Sequence, residues 1–220
     1  MNKFEFKKIL STEPVYNYVL KSIEEHLENG AKVLWLLSGG SAIPIEIEVS
    51  KKLKDNHKTD NLTALLIDER YGDAGHKDSN YEQLKSSGFD LPLKPILENK
   101  GLEQTVNDYQ SELSSLLDQT DFVIALAGLG PDGHTFGIKP HSPSVETERL
   151  VIGYEWDDYV RITTTAKLIE RIDLLIVYAA GLEKREQLTK LKSNLPAAEQ
   201  PAQLLKLGKE VIIFNDQIDE

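Results

Sequence analysis

Two rhythms of apolar residues alternate along the chain. After Thr12, with Pro14 in the first turn, Val15, Val19, Ile23 and Leu27 recur at helical spacing to about Glu28, and Asn29-Gly30 stops the pattern. This predicts an amphipathic helix capped by the Thr12 hydroxyl. Val33 to Leu37 is instead a short continuous apolar run that ends in Ser38-Gly39-Gly40-Ser41, and a helical pattern follows from about Ile43 to Leu53. The unit strand, polar turn, helix recurs. Leu62 to Ile67 ends in Asp68-Glu69-Arg70, and Phe122 to Ala127 ends in Gly128-Leu129-Gly130-Pro131-Asp132-Gly133-His134. Further strands are predicted near Val160 to Thr163, Leu174 to Ala179 and Val211 to Phe214, with a helix from about Glu183 to Leu191. Such alternation predicts an α/β fold, a doubly wound and largely parallel sheet with helices on both faces, in a single domain over residues 1–220. In sheets of this kind a ligand binds beyond the carboxyl ends of the strands, where the polar loops just named fall.

Composition narrows the classes of function. The 220 residues, 40% of them hydrophobic, suffice for one sizeable core. With no cysteine there is no disulfide, thiolate metal site or thiol nucleophile, which agrees with a cytoplasmic, reducing environment. Met1 to Leu10 mixes Lys3, Glu5, Lys7 and Lys8 with single apolar residues, so it lacks the run of a secretion signal. No apolar stretch approaches the ~18 residues of a membrane span, so no membrane partner is expected. The net charge of −11 argues against a nucleic-acid partner, because phosphate backbones need a concentrated basic face. An acidic chain that binds an anion must gather its cations locally, which directs attention to Arg and Lys in loops.

Ser38-Gly39-Gly40-Ser41 lies between a strand and a helix, where backbone N–H groups and hydroxyls can face a phosphate; taken alone it also reads as a plain tight turn. Asp68-Glu69-Arg70 sets two carboxylates beside a guanidinium, a pattern that by itself more often marks a solvated strand end with a local ion pair. Asp78-Ser79-Asn80-Tyr81 predicts a helix start capped by Asp78 or Ser79. The richest segment is Gly128 to Thr135. Its three glycines and one proline turn the chain sharply and bring Asp132 near His134, and a carboxylate beside an imidazole holds the ring as a general base. His141 is a second candidate, whereas His26, His57 and His76 read as structural. Arg161 stands in Arg161-Ile162-Thr163-Thr164-Thr165 at a strand end. Lys184 opens a helix beyond Gly181, where the helix dipole disfavours a cation unless an anion compensates it.

In order along the chain, Ser-Gly-Gly-Ser at 38–41, Asp-Glu-Arg at 68–70 with Ser79-Asn80, Gly-Leu-Gly-Pro-Asp-Gly-His-Thr at 128–135, Arg-Ile-Thr at 161–163 and Gly-Leu-Glu-Lys at 181–184 resemble the motif set of the 6-phosphogluconolactonase family. That family lies in the glucosamine/galactosamine-6-phosphate isomerase superfamily. The resemblance implies a modified Rossmann-like fold shared with glucosamine-6-phosphate deaminases. It also implies hydrolysis of 6-phospho-D-glucono-1,5-lactone to 6-phosphogluconate in the oxidative pentose phosphate pathway, with no cofactor and no metal. The expected partner is the small phosphorylated sugar lactone, and the expected state a monomer or small homo-oligomer. On this reading His134 is the general base, Asp132 orients it and Asp68 lines the sugar end. Ser38, Gly39, Gly40, Ser41, Arg70, Arg161 and Lys184 hold the phosphate, with some of these cations free to face the lactone carbonyl instead.

Two alternatives are a deaminase or isomerase of the same superfamily and a non-catalytic sugar-phosphate sensor. The deaminases resemble Asp-Gly-His-Ile-Ala-Phe-Asn-Glu-Pro in the histidine loop and Asp-Glu-Tyr at the second strand end. Here Lys139 stands at the position of that Glu, and Arg70 at that of the Tyr. The lactonase pattern after His-Thr is Ala-Ser-Leu-Phe-Pro-Gly, from which Phe136-Gly137-Ile138-Lys139-Pro140-His141 departs.

Overall fold

The computed structural model describes residues 3–55 and 59–219, so His57 lies outside the described residues. The elements are β1 (Lys3–Lys8), α1 (Glu13–Glu28), β2 (Val33–Leu37), α2 (Ile43–Asp55), β3 (Leu62–Leu66), β4 (Asp68–Arg70), α3 (Asn80–Ser86), α4 (Leu102–Gln119), β5 (Phe122–Gly128), β6 (Val151–Glu155), β7 (Val160–Thr164), α5 (Ala166–Ile169), β8 (Leu174–Ala179), α6 (Arg185–Leu191) and β9 (Glu210–Asn215). Six strands form one parallel sheet in the order β1-β9-β8-β5-β2-β3. Every residue of β2 is buried, as its unbroken apolar run requires for a strand covered on both faces. Helix α1 buries Val15, Val19, Ile23 and Leu27, each contributing about 1.5–3 kcal/mol by leaving water.

The structure departs from the sequence reading at four places. Thr12 precedes α1, yet its side chain makes no capping bond; its carbonyl accepts the N–H groups of Val15 and Tyr16 instead. The first residues, Lys3-Phe4-Glu5-Phe6-Lys7-Lys8, form an edge strand, whose alternation is too short and too charged to read as a strand by pattern. Helix α4 buries Val106, Tyr109, Leu113 and Leu117 among many polar residues, so its apolar stripe is thin. The strand at Val160–Thr164 was expected among the parallel strands, but β7 belongs to a separate antiparallel sheet, β4-β7-β6. The reason is visible in its composition: Arg161 and two threonines interrupt the apolar run, and the four residues between Glu155 and Val160 close a β6–β7 hairpin rather than a helical crossover.

Strand order positions the site. After β2 the chain steps outward to β3, then returns past β2 to β5 and continues to β8 and β9. The loops after β2 and β5 therefore diverge around a crevice at the point where the winding reverses, the place where open α/β sheets bind ligands.

Candidate active site

The turn after β2 starts the cavity wall. Gly40 has φ of 68°, and a short 3-10 turn over Gly40–Ala42 leads into α2. The Ser38 N–H does not face the cavity, because it donates to Glu46 Oε1 at 2.8 Å. Glu46 is fully buried, and burial pushes its carboxyl well above the ordinary carboxylate range against the pull of that one bond.

The antiparallel sheet supplies the cations. In β4 and β7, Arg70 pairs directly with Arg161, Glu69 with Ile162 and Asp68 with Thr163. Two like charges opposite one another destabilise a strand pair unless something lies between them. Arg161 is offset by Asp158, 2.7 Å away, and the Tyr159 ring lies 5.4 Å and 5.7 Å from the Arg70 and Arg161 guanidinium carbons. The expectation that Asp68-Glu69-Arg70 taken alone is a solvated strand end with an ion pair is corrected here. Glu69 is buried and accepts from the N–H groups of Arg70 (2.7 Å), Asn80 (2.6 Å) and Tyr81 (3.0 Å) and from the Ser79 hydroxyl (2.8 Å). It bolts β4 to the start of α3, where Ser79 rather than Asp78 is the cap, its Oγ accepting from Glu82 N–H. The Asp78 carbonyl accepts from the Arg70 guanidinium at 2.8 Å. Burial raises the Asp68 carboxyl, and Arg70, Arg161 and His134 pull it back in part.

The loop after β5 carries the imidazole. His134 Nδ1 lies 2.5 Å from Asp132 Oδ1, and the His134 N–H donates to the same oxygen at 3.1 Å. Lys139 Nζ donates to Asp132 Oδ2 at 3.0 Å. Burial would raise the Asp132 carboxyl, but the bonds from His134 and Lys139 outweigh it and hold Asp132 far below the ordinary range. Gly130 makes this packing possible: a Cβ there would overlap the His134 ring and the Asp132 carboxylate.

A cavity of about 330 Å³ opens between these loops. Ser38, Gly39, Gly40, Ser41, Asp68, Arg70, His134, Arg161 and Lys184 all line it, and Asp132 stands behind His134. Lys184 arrives from the turn after β8, just before α6 begins at Arg185; its partner Glu183 is 3.9 Å away. His141 is not at the cavity but lines a separate recess, 62% exposed and 3.8 Å from Glu199. His26 bonds the Ser22 carbonyl and His76 the Arg70 carbonyl.

The cavity also holds groups that the sequence reading left out: Asn80, Lys139, Asp158 and Tyr159 line it, and Glu46 lies under its floor. For Glu46 a signal existed, since it falls on the same helical face as Ala42, Val49 and Leu53, which are buried. For Asn80 the signal was the Ser79-Asn80 element of the family motif set, which local pattern by itself reads as a helix cap. Among the described residues, Ser38 Oγ, Asn80 Oδ1, Arg70 Nε and Arg161 Nε are buried with no hydrogen-bond partner, a cost of about 1–3 kcal/mol each.

Comparison with known proteins bears on the same segments. The family model for Glucosamine-6-phosphate isomerases/6-phosphogluconolactonase matches residues 10–214. A 6-phosphogluconolactonase of Aggregatibacter actinomycetemcomitans is 28% identical over 155 residues, 67% of this chain and 66% of that one. A glucosamine-6-phosphate deaminase of Streptococcus agalactiae is 23% identical over 212 residues, 89% of each. The crystal structure of 6-phosphogluconolactonase from Thermotoga maritima shares the fold with a TM-score of 0.83 at 21% identity, covering 98% of this chain and 99% of that one. With nearly the whole chain inside the family model, this protein belongs to the family of glucosamine-6-phosphate isomerases and 6-phosphogluconolactonases.

Proposed function

We propose that this protein hydrolyses 6-phospho-D-glucono-1,5-lactone to 6-phosphogluconate, with His134 as general base. The observation that carries the reading is the pairing, in one cavity, of an Asp132–His134 dyad with the cations Arg70, Arg161 and Lys184. Asp132 accepts the Nδ1 proton, which leaves Nε2 as the basic nitrogen of the neutral ring. Nε2 takes a proton from water as the water oxygen bonds the lactone carbonyl carbon. The tetrahedral oxyanion then collapses, the bond from that carbon to the ring oxygen breaks, and the ring oxygen leaves as a hydroxyl with the proton returned by His134. The new carboxylic acid releases its own proton to solvent. A lactone is an activated ester, so a positioned base and charge-assisted donors for the oxyanion and phosphate suffice. The guanidinium groups of Arg70 and Arg161, which line the cavity, suit those anionic oxygens.

Acid release from freshly made lactone, followed at constant pH, tests the reading. The wild type accelerates it, and His134→Ala loses about 10²–10⁴-fold. Wild-type turnover in the variant would remove His134 from the mechanism. A deaminase relative makes the second reading concrete, but Lys139 stands against it: an ammonium bonded to Asp132 cannot accept a proton. Ammonia release from glucosamine 6-phosphate without lactone hydrolysis would reverse this choice.

A further inference from the structure

Lys139 stands where the lactonase pattern has an apolar Phe, and local geometry brings it back onto the dyad. The Thr135 carbonyl accepts the Ile138 N–H at 2.7 Å, and the two residues between them, Phe136 and Gly137, have φ of 56° and 75°. Positive φ at both central positions is the requirement of a type I′ turn, which reverses the chain tightly. The turn is tied down from the antiparallel sheet. The Thr163 hydroxyl of β7 donates to the Phe136 carbonyl. The Tyr154 hydroxyl of β6 donates to the Gly137 carbonyl at 2.5 Å and accepts the Lys139 N–H at 3.3 Å. The reversed chain carries the Lys139 side chain, 12% exposed, to Asp132 Oδ2 at 3.0 Å and to His134 Nδ1 at 3.3 Å.

The second of these contacts differs in kind from the first. Nδ1 already directs its hydrogen at Asp132 Oδ1, so an ammonium beside it meets a donor, and the approach is repulsive to any positive charge on the ring. We infer that Lys139 is a positioning residue of the base: it shares Asp132 with His134 and holds that carboxylate ionised and aimed at the ring. The strong downward pull that His134 and Lys139 exert on the Asp132 carboxyl agrees with this. The other charges around the ring are Asp68 and Arg70 from β4, Arg161 from β7 with its partner Asp158, and Lys184 beyond β8. Lys139 is the cation in contact with the ring itself.

The inference rests on His134 being the base, and the test separates the two. The pH dependence of kcat/KM for the lactone, corrected for uncatalysed hydrolysis, is measured for wild type, Lys139→Met, Lys139→Arg and His134→Ala. Removing the cation beside Nδ1 leaves Asp132 as the charge in contact with the ring, so Lys139→Met is expected to move the acid limb to higher pH. It then loses about 3–10-fold more activity at pH 6 than at pH 8, with KM little changed. Lys139→Arg, which keeps the charge, restores the limb. An unmoved limb, or a raised KM with kcat kept, overturns the inference; the latter would make Lys139 a substrate-binding cation. If Lys139→Met melts early, Lys139→Gln keeps a donor to Asp132 without the charge and gives the same comparison. A fully active His134→Ala would sink the base reading and this inference together. An inactive His134→Ala with an unmoved limb in Lys139→Met would sink the inference alone.

Discussion

The histidine loop and the paired strands β4 and β7, which line one cavity, are built differently. In the histidine loop Asp132 receives the His134 ring, the His134 N–H and Lys139, while Tyr154 and Thr163 hold the turn beside them. Elsewhere around the cavity Ser38 Oγ, Asn80 Oδ1, Arg70 Nε and Arg161 Nε are buried without partners among the described residues. A dyad that moves a proton must be in place before the substrate arrives, so its geometry is satisfied internally. An anion site instead needs cations at the cavity wall, which here are Arg70, Arg161 and Lys184. The difference agrees with the proposed division between chemistry at His134 and recognition by Arg70, Arg161 and Lys184.

The largest expected effect comes from breaking the histidine loop. Gly130 has no positive φ, so Gly130→Ala adds only a methyl group that collides with the His134 ring and Asp132. Displacing the dyad by about an ångström is expected to lower kcat by about 10²-fold while 6-phosphogluconate still binds. Steady-state kinetics beside product titration decides this, and a variant with wild-type kcat would show that the dyad's fit is not needed.

A smaller effect is expected at the cations. Arg161→Ala and Lys184→Ala should each weaken 6-phosphogluconate binding by about 10–100-fold, the size of one charged hydrogen bond, and weaken gluconate far less. Calorimetric titration of both ligands measures the gap. Equal losses would take these cations out of phosphate recognition and blur the proposed division.

The smallest effect lies beneath the glycine turn. Glu46 has a folded-state pKa raised by burial above its unfolded value, so its contribution to stability is complete below the unfolded pKa of about 4.3 and is lost as pH rises toward the folded one. Glu46→Gln keeps an acceptor for the Ser38 N–H and cannot ionise. Its melting temperature, relative to wild type, is expected to climb as the pH rises from about 4.5 to about 8. A difference that stays flat across that range would show that Glu46 does not titrate with folding.

Much of this molecule was legible in the chain itself. Local pattern alone determines β2, β3, β5, β8 and α1, because a buried parallel strand must be apolar throughout and a surface helix must show one stripe. The glycine-rich turns that end β2 and β5 mark the candidate site for a related reason: little else can bend backbone so closely around side chains. What the chain could not reveal by itself is pairing across distance. Arg70 faces Arg161 because an antiparallel sheet sets them in register, ninety-one positions apart in sequence. β7 looked like another parallel strand until its hairpin partner β6 was in place. Lys139 differed visibly from the family pattern, but only a turn anchored by Tyr154 and Thr163 brings its ammonium to Asp132. Local propensity is written in neighbouring residues, whereas the charges that act on one another are brought together by a sheet and a turn that exist only in the folded chain.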